Sequence, residues 1–261
     1  MHNSQFAAML GSGHSDWGRV ISRAERGLRG RGIPPEREGL LRHNLALALW
    51  ETGDLYRSEQ EFQRVIALGE GSADLASLQA DALYRLGNIH RLLRRPEQEV
   101  EAFRQAACRH ARLRQTARAV RCQVEAGRAL LLAGRAKEAL PELEAAAAGL
   151  IMLDAPDLVV ELRIVQALYA SLTGDREGSD RHCLELLNQP PLAPCQRAEI
   201  AWILGCNAFE AGDRTAAELH AAIAQEYAVE AWWPPQMERI NHLRRRLAAG
   251  DGESRRSSPP G

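Results

Sequence analysis

Apolar residues recur along this chain at three- and four-residue steps, in segments separated by short turns, and no stretch alternates apolar and polar residues as a strand would. Those steps place the apolar side chains on one stripe of an α-helix. Leu45-Ala46-x-x-Leu49 precedes the turn Gly53-Asp54, and Ser58-x-x-x-Phe62-x-x-Val65 follows it. The same classes return as Leu86-Gly87-x-x-His90, Arg94-Arg95 and Glu99-x-x-x-Phe103-x-x-Ala106. Further copies run through Ala126-Gly127, Gly134-Arg135 and Ala139-x-x-x-Leu143, and through Ala167, Gly174-Asp175 and Ser179-x-x-x-Cys183. A last one takes in Leu204-Gly205, Gly212-Asp213 and Ala217-x-x-x-Ala221, and a degenerate copy opens the chain around Ala7-Ala8 and Ser15-Asp16-Trp17. With Ala8, Ala46, Gly87, Gly127, Ala167 and Gly205 as markers, the spacings are 38, 41, 40, 40 and 38 residues. A period of this size with a turn at its centre predicts stacked helical hairpins.

Local chemistry supports the same elements. A small residue at each marker lets two helices approach closely, while the larger residues three and four positions away fill the adjoining space. The turn glycine can adopt the left-handed conformation at a helix C-terminus, and the following Asp can cap the next helix. Breakers fall between copies, at Gly32-Ile33-Pro34-Pro35, Gly69-Glu70-Gly71-Ser72 and Gln189-Pro190-Pro191. Near the C-terminus, Trp232-Trp233-Pro234-Pro235 interrupts the array. Met237, Ile240, Leu243 and Leu247 then fall on one face of a capping helix predicted over 236–249. The prediction is an all-α, right-handed α-solenoid in a single domain over 1–249, with hairpins at 1–32, 39–70, 73–112, 115–150, 157–189 and 195–231. The Gly-, Ser- and Pro-rich residues 250–261 are expected to be a disordered tail.

This pattern resembles the tetratricopeptide repeat: a small residue at the helix crossing, a turn glycine, and a small-then-large pair on the second helix. It departs from that family in a period longer than 34 residues, so each helix should be about one turn longer, and in lacking the family's proline near the end of the second helix. Long repeats of this kind are similar to those of Gram-positive peptide-pheromone receptors. The resemblance implies a peptide- or protein-binding groove lined by the first helix of each pair. Mapped residue by residue, it nominates His43, Leu47, Trp50, Tyr84, Asn88, Arg91, Arg128, Trp202 and Phe209 as groove residues. Aromatic side chains there can anchor a ligand, Asn88 can bond an extended backbone, and Arg91 and Arg128 can fork onto a carboxylate. The competing reading pairs those arginines with Glu51, Asp81 or Glu161.

Composition narrows the function classes. A formal charge of −1 and a pI near 6.7 argue against nucleic-acid binding by the chain as a whole. Arg109 to Arg121 carries five arginines without an acid, read as a solvated helix face. No phosphate loop, zinc-protease motif, nucleophile elbow or Cys-x-x-Cys is present, so a non-enzymatic scaffold without cofactor or metal is expected. Five cysteines without ligand spacing, and no signal or membrane segment, point to a reduced cytoplasm. Two alternatives stand beside the scaffold: a peptide sensor of the pheromone-receptor kind, and an enzyme using groove residues. Phe6, Met9 and Leu10 leave the first hairpin with an apolar face, which predicts either an isologous homodimer or fraying of a degenerate repeat.

Overall fold

The computed structural model describes residues 16–188, 192–231 and 234–256. Among them the chain forms twelve helices and no strand: α1 Trp17–Leu28, α2 Pro35–Glu51, α3 Leu55–Leu68, α4 Ala76–Leu92, α5 Pro96–Arg112, α6 Thr116–Leu132, α7 Ala136–Leu150, α8 Pro156–Thr173, α9 Arg176–Leu187, α10 Pro194–Glu210, α11 Arg214–Ala231 and α12 Pro234–Arg256. Within α2 to α11, the pairs α2–α3, α4–α5, α8–α9 and α10–α11 pack as hairpins. α1 is the second helix of the degenerate first copy; the apolar cluster Phe6, Met9 and Leu10 lies outside the described residues. Helix α12 starts two residues before the predicted cap and continues to Arg256, so residues 250–256, expected in a disordered tail, are helical. Pro35 opens α2 rather than lying in a linker, as do Pro96, Pro156 and Pro194 in their own helices. A missing N–H costs nothing in the first turn, and the fixed φ suits it.

The single domain read from the periodicity divides into two compact units, Met1–Ala129 and Leu130–Gly261. In the first unit, α2 packs on α3, α4 on α5, and α2 beside α4. In the second, α9 packs on α8, α10 on α11, and α12 on both α10 and α11.

Both cores are built from the repeated classes. On the second helices, Ser58, Ala139, Ser179 and Ala217 are all fully buried, as are Phe62, Phe103 and Cys183 four positions on from the small-residue site. Three residues further, Val65, Ala106, Ala146, Leu186 and Ala224 are buried without exception. Ser58 adds a polar tie, its Oγ donating to the Ala46 carbonyl at 2.8 Å across the hairpin. The turns follow the sequence too. Gly53, Gly134, Gly174 and Gly212 have φ between +74° and +98°, and Asp54, Asp175 and Asp213 accept backbone N–H bonds at 3.3, 2.9 and 3.0 Å. In the copy that lacks the glycine, Arg94 takes the same left-handed conformation, with φ 56°.

Two helices of a hairpin come close at Gly87, where a Cβ would stand 2.6 Å from Phe103 Cε1, on a ring that is itself fully buried. Ala is the better helix former by about 1 kcal/mol, but the ring cannot move without disturbing the core. Gly87→Ala is therefore expected to destabilise the protein by about 1–3 kcal/mol through overpacking, measured by urea unfolding. A second substitution, Phe103→Leu, should recover part of that loss.

Candidate functional site

In the first unit, α2 and α4 lie side by side and carry six of the nominated residues, Arg91 among them. Leu47 is 6% exposed and belongs to the core with Phe62, Leu86 and Ile89; it has no surface to offer a ligand. Trp50 is partly exposed and packs by its apolar body on that cluster. His43 stands edge-on to Phe62, ring centroids 5.6 Å apart. Tyr84 leans on Phe103 at the same separation and keeps a partly exposed edge. Asn88 is buried, and its Nδ2 donates to the Tyr84 carbonyl at 3.1 Å on its own helix.

The nominated arginines have protein partners. Arg91 Nε donates to Glu99 Oε1, and Nη2 to Glu125 Oε2, both at 2.6 Å, with the guanidinium 5.3 Å from the Phe103 centroid. All three side chains are about nine-tenths buried. Burial works against the charge on Arg91, but Glu125 and Glu99 more than offset it and raise the pKa above the normal arginine value. Arg128 Nε lies 3.8 Å from the same Glu125 carboxylate. The pairing reading therefore holds for Arg91, with Glu99 and Glu125 in place of Glu51, Asp81 or Glu161. Asp81 is taken by Arg118 at 2.9 Å.

A residue that the family pattern does not nominate matters here. Arg85 on α4 is partly exposed and acts through space on both Glu51 and His43, lowering the pKa of each. Its signal in the sequence is its place one turn before Asn88 and next to Tyr84. Desolvation still leaves the Glu51 carboxyl above its usual range.

In the second unit, Trp202 and Phe209 lie on α10 beneath α12. Arg239 Cζ stands 4.8 Å from the Trp202 ring and Arg246 Cζ 4.3 Å from Phe209. Arg246 also reaches Glu210 at 2.7 Å, and Arg239 lies 3.6 Å from Glu199. The chain's own last helix covers these two aromatics. Behind them, Asn207 ties three helices together: Nδ2 donates to Ser179 Oγ at 3.0 Å and to Asp180 Oδ1 at 2.7 Å, and Oδ1 accepts from Ser171.

No group of three or more His, Cys, Asp or Glu among the described residues is arranged to hold a metal ion, and no described helix is long and apolar enough to cross a membrane. Cys122, Cys183 and Cys206 are held near 12 by burial, far above a reactive thiol.

Comparison with known proteins gives the same class. Residues 80–107, covering most of α4 and α5, match the family model described as tetratricopeptide repeat. The chain thus carries a tetratricopeptide repeat there, and its other hairpins repeat the same buried classes. Among solved structures, the crystal structure of BtubC (BKLC) from P. vanneervenii is similar in fold, with a TM-score of 0.60 at 15% sequence identity, covering 84% of this chain and 93% of that chain. No curated protein matches the chain.

Two outcomes test the electrostatics of the first unit. Burial lowers the His43 pKa from 6.5 to about 4, because the charged ring would be desolvated beside Phe62, while Asp81 pulls it back only in part. The folded pKa lies below the unfolded one, so the stability that neutral His43 supports is present above pH 6.5 and is lost as pH falls toward 4. At about 1.4 kcal/mol per unit the loss approaches 3 kcal/mol. The His43→Gln variant should show a correspondingly flatter stability profile in urea titrations between pH 7 and 4.5. Separately, Arg91→Ala should cost about 3–5 kcal/mol by stranding two buried carboxylates. Arg91→Met combined with Glu99→Gln and Glu125→Gln should recover most of it.

Proposed function

We propose that the protein is a non-enzymatic scaffold that binds an extended peptide segment of a protein partner along the α2–α4 face of its first unit. The observation that carries this reading is the set of partly exposed side chains gathered there: Trp50 on α2, and Tyr84 and Arg85 beside buried Asn88 on α4, within the segment that matches the tetratricopeptide model. Trp50 and Tyr84 are held by packing and offer rigid apolar anchors at little entropic cost. Arg85 interacts with Glu51 and His43 through space, so its guanidinium can turn to a carboxylate on the peptide. The site assignment shifts accordingly from Arg91 and Arg128, which serve Glu125, to Arg85. A scaffold explains why the titratable groups of this face are paired or desolvated rather than set out as an acid, a base and a nucleophile.

A random twelve-residue peptide array probed with the full chain, followed by fluorescence anisotropy on the strongest peptides, tests the proposal. Acidic peptides with an apolar residue should dominate. Arg85→Ala should weaken them about 10- to 100-fold, the 1–3 kcal/mol of a charged hydrogen bond, with the melting temperature unchanged. Equal binding by the variant, or an array without acidic preference, would remove the assignment.

A further inference from the structure

Helix α12 does more than end the second unit. Among its described side chains, Gln236, Ile240, Leu243 and Leu247 are buried, while Asn241, His242 and Arg245 are exposed and Arg244 donates to Gln225 on α11. On its inner side three residues engage the nominated face of α10 in register. Arg239 meets Glu199 and Trp202, Leu243 joins Ala217, Ala221 and Leu247 in a cluster against which Trp202, Cys206 and Phe209 pack, and Arg246 meets Phe209 and Glu210. A Cβ at Gly205 would stand 3.0 Å from Leu243 Cδ2, so the absent side chain of Gly205 is what admits this leucine. The α10 face thus reads a spacing of Arg, Leu and Arg at i, i+4 and i+7, one stripe of a basic amphipathic helix.

Several features separate this contact from permanent core. The Arg246–Glu210 pair leaves both side chains 44% exposed, which makes it weak and screened by salt. Gln236 donates to the Cys195 carbonyl at 3.1 Å, yet its Oε1 is buried without a partner among the described residues, a cost that a fixed interface avoids. By contrast, the hairpin beneath is keyed by the fully satisfied Asn207 network. Ile240, Leu243 and Leu247 hold α12 by apolar burial, but a segment whose polar contacts are partly exposed or unsatisfied is less protected than the hairpin beneath.

We propose that the α10 face is a docking site for a basic amphipathic helix carrying Arg, Leu and Arg at i, i+4 and i+7, and that α12 is its resident, exchangeable occupant, displaced by a partner helix of the same chemistry. This extends the scaffold reading to the second unit, and its test reads only second-unit groups, so either can fail alone.

Cys206 lies under α12 and supplies the readout, while fully buried Cys183, between α9 and its neighbours, reports general unfolding. The full chain and its Arg239→Ala, Arg246→Ala variant are pulsed with iodoacetamide, and each cysteine is followed by peptide mass spectrometry. The variant should label Cys206 at least 10-fold faster than the wild type, with Cys183 unchanged. A synthetic peptide of residues 234–256 added in trans should restore protection, and the same peptide with both arginines replaced by alanine should not. If Cys206 and Cys183 accelerate together, or the peptide restores nothing, α12 is a fixed cap and the proposal falls. If protection of Cys206 in the wild type rises with protein concentration, the occupant is a second copy, and the partner reading falls.

Discussion

Everything in this molecule depends on how closely the two helices of a hairpin approach. Where the first helix carries Ala46 or Gly87, the second can bring Phe62 or Phe103 against its backbone, and the aromatic ring becomes the centre of the local core. A larger residue at the marker would hold the helices apart and leave the ring no cavity of its own size. Contacts across the same hairpin depend in turn on that ring: His43 is seated on Phe62, and Tyr84 and Arg91 on Phe103. In these two hairpins backbone proximity is therefore converted, through one aromatic each, into the surface that the first helices present.

Electrostatics then decides which of those surface groups stay available. Arg91 and Arg95 are held by carboxylates from other helices, Arg91 by Glu99 and Glu125, and Arg95 by Glu59, which His90 also approaches at 3.2 Å. A charge that already has two short bonds in a desolvated setting gains nothing from a ligand and loses much by being exposed. Arg85 is in the opposite situation, partly exposed and acting on Glu51 and His43 through space. Function in a scaffold of this kind belongs to the side chains that the fold does not consume.

The fold was legible in the sequence because its determinants are local and periodic. Spacing gave the succession of helices, the glycines gave the turns, and Asp54, Asp175 and Asp213 gave the caps. The site was less legible, since its electrostatics couple residues that no period connects: Arg91 finds Glu125 at 34 positions' distance, on another first helix. Leu47 shares the helical register of the groove residues but is drawn into the core by Phe62 and Leu86. Trp202 and Phe209 carry no mark that a later helix would cover them. Arg85 falls at a position to which the family pattern gives no role, so only its surroundings single it out.

The hairpins look alike in their apolar positions, yet each is locked to its neighbours by a different polar device. Glu59 with His90 and Arg95 serves one pair, Arg91 with Glu99 and Glu125 the next, and Asn207 with Ser171, Ser179 and Asp180 a third. Each device has members on two different hairpins. The periods are consequently not interchangeable bricks. Excising or duplicating one of them would preserve the apolar rhythm but bring together carboxylates without their arginines, and an amide without its hydroxyls. The order of these repeats is thus written in buried polar groups, and copies that look alike in apolar pattern cannot be shuffled.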